Sequence, residues 1–220
     1  MKQNVSPIQR VLNVWAIILI IWSIYRTKFR LPEWFDEFIA KPMVFIFPVF
    51  WYVKRYENKN FFDAIWFDFK KIFADLYLGI SIGLIFAISA FLSNFIRGDG
   101  ASVGQTILAL GLTKLSLFFL IALATGISEE ILSRGFILKR LYEDSQNMFV
   151  ASFNASILFF ILHIPILFSN AKLSGGLLMM FMVTDLILSL ANSFIYLQRK
   201  SLFLPILIHA FYNLAIILYI

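Results

Sequence analysis

The chain has 220 residues, of which 60% are hydrophobic and 26 are phenylalanine, and its mean hydropathy is +0.83. A soluble domain of this size could not bury so much apolar surface, so the composition indicates an integral membrane protein. The net charge is +6, and the lysines and arginines lie in short gaps between apolar runs. This pattern is typical of loops beside membrane helices and argues against nucleic-acid binding.

The absence of cysteine excludes a disulfide framework, a cysteine-ligated metal and a thiol nucleophile.

The apolar runs predict an all-α polytopic transmembrane helix bundle with about seven spans. These runs lie near residues 11–25, 38–53, 72–96, 115–141, 148–168, 173–197 and 202–220. No small-residue cleavage pattern follows the first run, which is therefore expected to remain as a span. Lys41, Pro42 and Pro48 interrupt the second run, so it is either a kinked span or a re-entrant element.

Two connecting segments have recognisable patterns. Residues 54–71 have aromatic and aliphatic side chains at helical spacing, which predicts an amphipathic helix in the membrane interface or, equally, a short connector packed on the bundle. The residues with this spacing are Phe62, Ile65, Trp66 and Phe69. The polar stretch 97–105 predicts a loop because Gly98 and Gly100 break helices.

With seven spans, the loops on the N-terminal side would carry more lysine and arginine than the loops on the other side. This bias favours a cytoplasmic N-terminus.

Two adjacent acids, Glu129 and Glu130, lie inside the fourth apolar run. Charged side chains at membrane depth are costly and usually face a partner or a water-filled cavity. Glu130 and Arg134 are four residues apart and share a helix face, which predicts an ion pair between them. Glu129 is rotated about 100° away and needs another partner. The alternative is that both acids only hold helices together.

Both histidines also lie in apolar runs. His163 follows Phe159 by one helical turn, and Pro165 is expected to kink or end that helix. His209 and Asn213 share a face of the last run, and such a pair suits an oxygen that becomes negatively charged. Each group alone is more often a hydrogen-bonded core residue. Together with the glutamates they form a set for activating water and stabilising an oxyanion.

The remaining polar residues of the apolar runs have simpler interpretations. Asp185 and Asn192 are expected to be structural or to line a cavity, whereas Asp75 and Lys114 are expected at the membrane interface.

The expected depths of the two histidines in the bilayer do not agree. Counted from the basic loops at about 1.5 Å per residue, His163 lies about 10 Å further across the bilayer than His209. The two histidines can meet only if helices tilt or the fifth helix starts late.

These motifs resemble the CPBP family of intramembrane proteases, which process CAAX proteins and bacteriocins, are also called the Abi family, and are often described as metalloproteases. Its Glu-Glu-x-x-x-Arg, Phe-x-x-x-His and His-x-x-x-Asn motifs stand here at 129–134, 159–163 and 209–213, with Arg-Gly-Phe at 134–136. The resemblance covers about 115–213. One departure is the turn at 198–202, which lacks the glycine that the family often has.

The resemblance implies a CAAX prenyl endopeptidase-like enzyme, a hydrolase of peptide bonds in a membrane-associated, prenylated or otherwise lipidated protein or peptide. Glu129 and His163 would activate the water, and His209 and Asn213 would bind the oxyanion. Glu130, Arg134 and Phe159 would support the site. By this reading residues 111–220 form the catalytic helical core, and residues 1–110 form N-terminal membrane helices with the interfacial segment.

The resemblance leaves the cofactor open. A divalent metal such as zinc would use Glu129, His163 and His209 as ligands, while glutamate chemistry would need no metal. The sequence lacks the His-Glu-x-x-His spacing that places two zinc ligands on one helix face.

Two other functions are weighed against the protease. One is a catalytically silent membrane protein of the same fold that acts in bacteriocin immunity or as a scaffold. The other is an ion-coupled transporter, which would also explain intramembrane acids but predicts an inverted repeat that the sequence does not show.

Overall fold

The computed structural model describes residues 5–29, 31–96, 100–169 and 175–219. These ranges are almost entirely helical and contain no β-strand, which confirms the all-α prediction. The helices are α1 (Pro7–Lys28), α2 (33–57), α3 (Phe61–Ala64), α4 (Ile72–Ile96), α5 (Gly100–Glu130), α6 (Lys139–Ser145), α7 (Met148–Ser169), α8 (Gly175–Arg199) and α9 (Phe203–Tyr219). A π-helical segment, Ile131–Leu138, joins α5 to α6.

Within the described residues, four helical stretches are long and apolar enough to cross a bilayer. They are Pro7–Lys28, Phe69–Ser89, Leu110–Ser145 and Met148–Pro165, and Phe203–Ile216 is a shorter apolar helix. The chain is therefore an integral membrane protein with several spans, while the count of seven and the side of the N-terminus stay predictions.

The second apolar run forms the kinked helix α2. Proline has no N–H to donate, so the regular hydrogen-bond ladder cannot continue past it unchanged. Short π-helical turns at Asp36–Ala40, Pro42–Ile46 and Val53–Glu57 alternate here with α-helical turns. These π-helical turns change which side chains point into the bundle. The side chain of Lys41 is one that points inward.

The loop predicted at 97–105 is wrong from Gly100 onward, since α5 begins at that residue; 97–99 lie outside the described residues. The break in α5 falls instead at Gly111, whose φ of 67° and ψ of 164° are not helical. Glycine has no Cβ and adopts positive φ without strain, so the chain bends there.

The amphipathic helix predicted in 54–71 is also wrong, because α3 ends at Ala64 and Trp66 takes a positive φ of 52°. The segment is the packed connector of the alternative prediction. The Tyr196 hydroxyl donates to the carbonyl of Ile65 at 2.9 Å, and the N–H of Leu202 donates to the carbonyl of Trp66 at 3.0 Å.

Helix α9 packs on α4 and α5, and two glycines of α4 permit the close approach. A Cβ at Gly79 would lie 2.6 Å from Leu207 Cδ1, and one at Gly83 would lie 2.5 Å from Phe211 Cγ. Small residues commonly let membrane helices approach each other in this way. The packing holds α9, and with it His209, against the end of α5.

Asp75 is fully buried, while its predicted depth at the membrane interface stays a prediction. Arg199 Nη2 lies 2.6 Å from Asp75 Oδ1, and the Ser201 hydroxyl donates to the other oxygen. The end of α8 and the turn before α9 thus cover this carboxylate. In the same turn Lys200 takes a φ of 48°, the left-handed conformation for which glycine is usually chosen.

The apolar core lies between α1, α2 and the π-helical segment. Its fully buried members include Val11, Ile18, Leu132 and Phe136, and Trp22 is almost as buried. Lipid is as apolar as these side chains, so in a membrane they stabilise the bundle by close van der Waals packing. This core fixes the N-terminal helices against the glutamate pair.

Candidate active site

The glutamate pair lies where α5 passes into the π-helical segment. Both side chains are buried, with relative exposures of 6% for Glu129 and 0% for Glu130. The Ser133 hydroxyl donates to the carbonyl of Glu129 at 2.5 Å, so a side chain satisfies that backbone group. Single π-turns are frequent at functional sites because they redirect side chains.

Glu130 is the structural centre of the site. Arg134 Nη1 donates to its Oε1 at 2.9 Å, which confirms the predicted ion pair. The same oxygen lies 2.8 Å from His209 Nδ1 and 3.2 Å from Asn192 Nδ2. One carboxylate oxygen therefore ties α5 and its π-helical extension to α8 and α9.

Glu129 has a different partner, Lys41 of α2. Lys41 Nζ donates to Glu129 Oε1 at 2.7 Å. Glu129 Oε2 is buried and accepts no hydrogen bond from any described residue. The two oxygens thus have separate environments, one held by an ammonium group and one free to accept.

Both histidines face that free oxygen. His163 Nε2 lies 3.5 Å and His209 Nε2 lies 3.6 Å from Glu129 Oε2. The depth difference expected from the sequence does not prevent the two imidazoles from meeting the same atom. The three side chains come together as predicted.

A small cavity lies beside Glu129 and His163. It has about 10 Å³ of space for the centre of a water-sized sphere, close to what one water molecule needs. Its lining residues are Trp22, Phe45, Glu129, Leu132, Phe159, Leu162 and His163.

The hydrogen bonds of the two imidazoles indicate their tautomers. His163 Nδ1 lies 3.1 Å from the carbonyl oxygen of Phe159, which can only accept, so we assign the proton to Nδ1. His209 Nδ1 lies 2.8 Å from a carboxylate oxygen of Glu130, so Nδ1 carries a proton whether the ring is neutral or doubly protonated. Both Nε2 atoms are then directed at Glu129 Oε2.

Phe159 forms a wall of the site, while its supporting role stays a prediction. Its ring centroid lies 4.5 Å from that of His163 and 6.0 Å from that of His209. Arg134 Cζ lies 4.6 Å from the same centroid. One buried ring therefore separates the two imidazoles from the guanidinium group.

Two predicted polar residues lie at the edge of this cluster. Asp185 Oδ2 is 3.9 Å from His163 Nδ1, within ion-pair range but beyond hydrogen-bond distance, and it accepts no hydrogen bond from the described residues. Asn213 follows His209 by one turn of α9 and is half-buried, and no contact among the described residues joins it to Glu129.

Residues 111–215 match the family model described as Type II CAAX prenyl endopeptidase Rce1-like. This part of the chain, a little under half of its length, is therefore similar to the CAAX protease family. Comparisons with curated proteins and with solved structures found no significant match. Every predicted site residue lies inside the matched range, so the CAAX protease motifs and the observed cluster coincide.

Sequence reasoning missed Lys41 and Glu37, which lie outside the CAAX protease match. Lys41 Nζ is 2.7 Å from both Glu37 Oε2 and Glu129 Oε1. The sequence carried one signal, a lysine inside an apolar run with an acid four residues earlier. This signal was missed because basic residues near helix ends usually lie at the membrane interface.

A metal ion fits this donor set poorly. The Lys41 ammonium occupies one oxygen of Glu129, where its positive charge opposes a divalent cation. Among the residues that the structure describes, no group of three or more histidine, aspartate or glutamate side chains is arranged to hold a metal ion. The ligand set of Glu129, His163 and His209 stays a prediction.

Proposed function

We propose that this chain is an intramembrane endopeptidase that hydrolyses a peptide bond of a membrane-associated, prenylated or otherwise lipidated, protein or peptide. The match of residues 111–215 to the CAAX protease family model supports the general activity. The observation that carries the proposal is the free oxygen of Glu129, which faces two imidazole nitrogens beside a cavity the size of one water molecule.

The proposed nucleophile is a water molecule between Glu129 and His163. A neutral His163 protonated on Nδ1 presents a lone pair on Nε2, and Glu129 Oε2 presents another at 3.5 Å. One water can donate a hydrogen bond to each of these atoms and turn its own lone pair toward a substrate carbonyl. Glu129 then removes a proton as the water oxygen attacks the carbonyl carbon.

The tetrahedral intermediate carries its negative charge on the former carbonyl oxygen. We assign His209 and Asn213 to this oxygen, as donors that stabilise charge developing in the transition state. For Nε2 to donate, His209 must carry a proton on both nitrogens, and the Glu130 carboxylate against Nδ1 stabilises that cation. The C–N bond then breaks, and the protonated Glu129 returns its proton to the leaving amine.

We further propose that this chemistry needs no metal ion. The general base is Glu129 and the charge-stabilising groups are side chains, so no step requires a Lewis acid. The Lys41 ammonium supplies the positive charge next to Glu129.

A cleavage assay with purified protein in nanodiscs tests the proposal. The substrate is a fluorogenic peptide with a farnesylated CAAX terminus, and a peptide of the same sequence without the lipid serves as the comparison. We expect wild-type protein to cleave the lipidated peptide, and Glu129→Gln and His163→Ala to lose at least about 10²-fold in rate, as for loss of a general base. Both variants must elute and melt like the wild type.

Cleavage that survives in both folded variants would overturn the proposal. An inactive wild-type protein whose cellular phenotype survives these substitutions would favour the silent immunity or scaffold function instead.

A further inference from the structure

Lys41 is nearly inaccessible and lies between two acids. Its side chain has a relative exposure of 6%, and its ammonium lies 2.7 Å from Glu37 Oε2 and 2.7 Å from Glu129 Oε1. The Thr125 hydroxyl donates to Glu37 Oε2 at 2.7 Å, so Glu37 is itself held in place by α5. The Trp22 ring centroid lies 5.9 Å from the ammonium and excludes lipid and water from that side.

This bridge decides which way the Glu129 carboxylate faces. A carboxylate held at one oxygen cannot turn freely, so the contact at Oε1 directs Oε2 to the cavity and the two imidazoles. Without the lysine, two buried carboxylates would lie near each other with no cation between them, which is strongly unfavourable.

We propose that Lys41 is a positioning residue of the active site, which bridges Glu37 and Glu129 and holds Glu129 Oε2 toward the attacking water. The inference rests on the proposed endopeptidase function. It extends the catalytic apparatus into α2, a helix outside the residues that match the CAAX protease family model.

A purely structural ion pair between α2 and α5 would explain the same contacts, so the test needs a readout that such a role would not change. Substrate binding should not depend on the orientation of Glu129, whereas turnover should. A small soluble cation should also replace the missing ammonium only if the position of the charge is what matters.

The experiment compares Lys41→Ala, Lys41→Arg and wild type in the peptide assay, with and without added ethylammonium chloride. A misplaced catalytic group can lower the rate by about 10²-fold. We therefore expect Lys41→Ala to lose about 10²-fold in kcat with KM changed less than about 2-fold, ethylammonium to restore at least about 10-fold, and Lys41→Arg to lie between Lys41→Ala and the wild type.

Lys139 provides a matched control, since it is also a buried lysine, with its ammonium 2.8 Å from Glu143 Oε1. Lys139→Ala should leave kcat unchanged with or without ethylammonium. Glu129→Gln should be inactive under both conditions, because the added cation cannot supply a base.

The outcomes separate this inference from the proposed function. Wild-type protein that does not cleave the peptide would refute the endopeptidase and the positioning role together. Wild-type cleavage with equal activity in Lys41→Ala would refute the positioning role alone, and so would a loss that ethylammonium does not restore. If Lys41→Ala does not fold, the near-isosteric Lys41→Met takes its place, and an undiminished kcat would be equally decisive.

Discussion

His209 Nδ1 lies 2.8 Å from Glu130 Oε1, so the second glutamate of the pair holds an imidazole as well as Arg134. This contact gives Glu130 two tasks, to neutralise the buried guanidinium and to turn His209 Nε2 toward Glu129. The two acids therefore have different partners, although they are adjacent in the chain, and this difference supports the proposed roles of Glu130 in support and Glu129 in chemistry.

Replacing Glu130 should damage the fold more than replacing Glu129. Glu130→Gln leaves the guanidinium of Arg134 buried without its counter-ion, and breaking a buried ion pair costs about 3–5 kcal/mol. We expect a clearly lower melting temperature in detergent for Glu130→Gln. Glu129→Gln is the control at the neighbouring position and should melt closer to the wild type. Equal melting temperatures for the two variants would contradict this division.

Loss of an oxyanion donor should reduce turnover even in protein that is still folded. His209→Ala and Asn213→Ala should each lower kcat by about 10²–10³-fold, the range measured when one such donor is removed. Steady-state cleavage of the lipidated peptide measures the effect. Asn154→Ala, an exposed position on α7, is the control and should keep full activity. Unchanged kcat in Asn213→Ala would remove that residue from the proposed oxyanion site.

Chelators should not inhibit the enzyme. Because no proposed step uses a metal, incubation with 1,10-phenanthroline or EDTA should leave the rate of the purified protein unchanged. Elemental analysis of the same sample should find far less than one equivalent of zinc. Inhibition that added zinc reverses would establish the alternative ligand set of Glu129, His163 and His209.

The buried pair of Asp75 and Arg199 should contribute to stability and not to chemistry. Asp75→Asn removes the charge that Arg199 and Ser201 surround. We expect the free energy of unfolding to fall by about 2 kcal/mol. This is below the usual range for a buried ion pair because Arg199 is partly exposed. Thermal unfolding measures this loss, and cleavage by the remaining folded protein should be normal. Asp144→Asn, an exposed position on α6, should change neither quantity. A large fall in kcat for folded Asp75→Asn would refute the separation.

Much of the fold could be predicted because apolar runs of span length have few alternatives to a helix. The run at 72–96 corresponds to α4 from its first residue to its last. The ion pair of Glu130 with Arg134 was predictable for a similar reason, since residues four apart share a helix face.

What the sequence could not indicate depends on contacts between distant segments. Lys41 and Glu129 are 88 residues apart, and no periodicity connects them. The partners of Asp75 were not predictable either, because Arg199 lies 124 residues away in the chain. The helix that begins at Gly100 and the early end of α3 at Ala64 show that local preference alone does not fix where a helix starts or stops.

The most direct test of the central claim follows the oxygen atom of the attacking water. Wild-type protein is given the lipidated peptide in H₂¹⁸O, and mass spectrometry examines the new carboxyl terminus after a single turnover, beside a reaction with Glu129→Gln. The account predicts one ¹⁸O atom in the wild-type product and no product from folded Glu129→Gln. Labelled product formed at an undiminished rate by Glu129→Gln would contradict it.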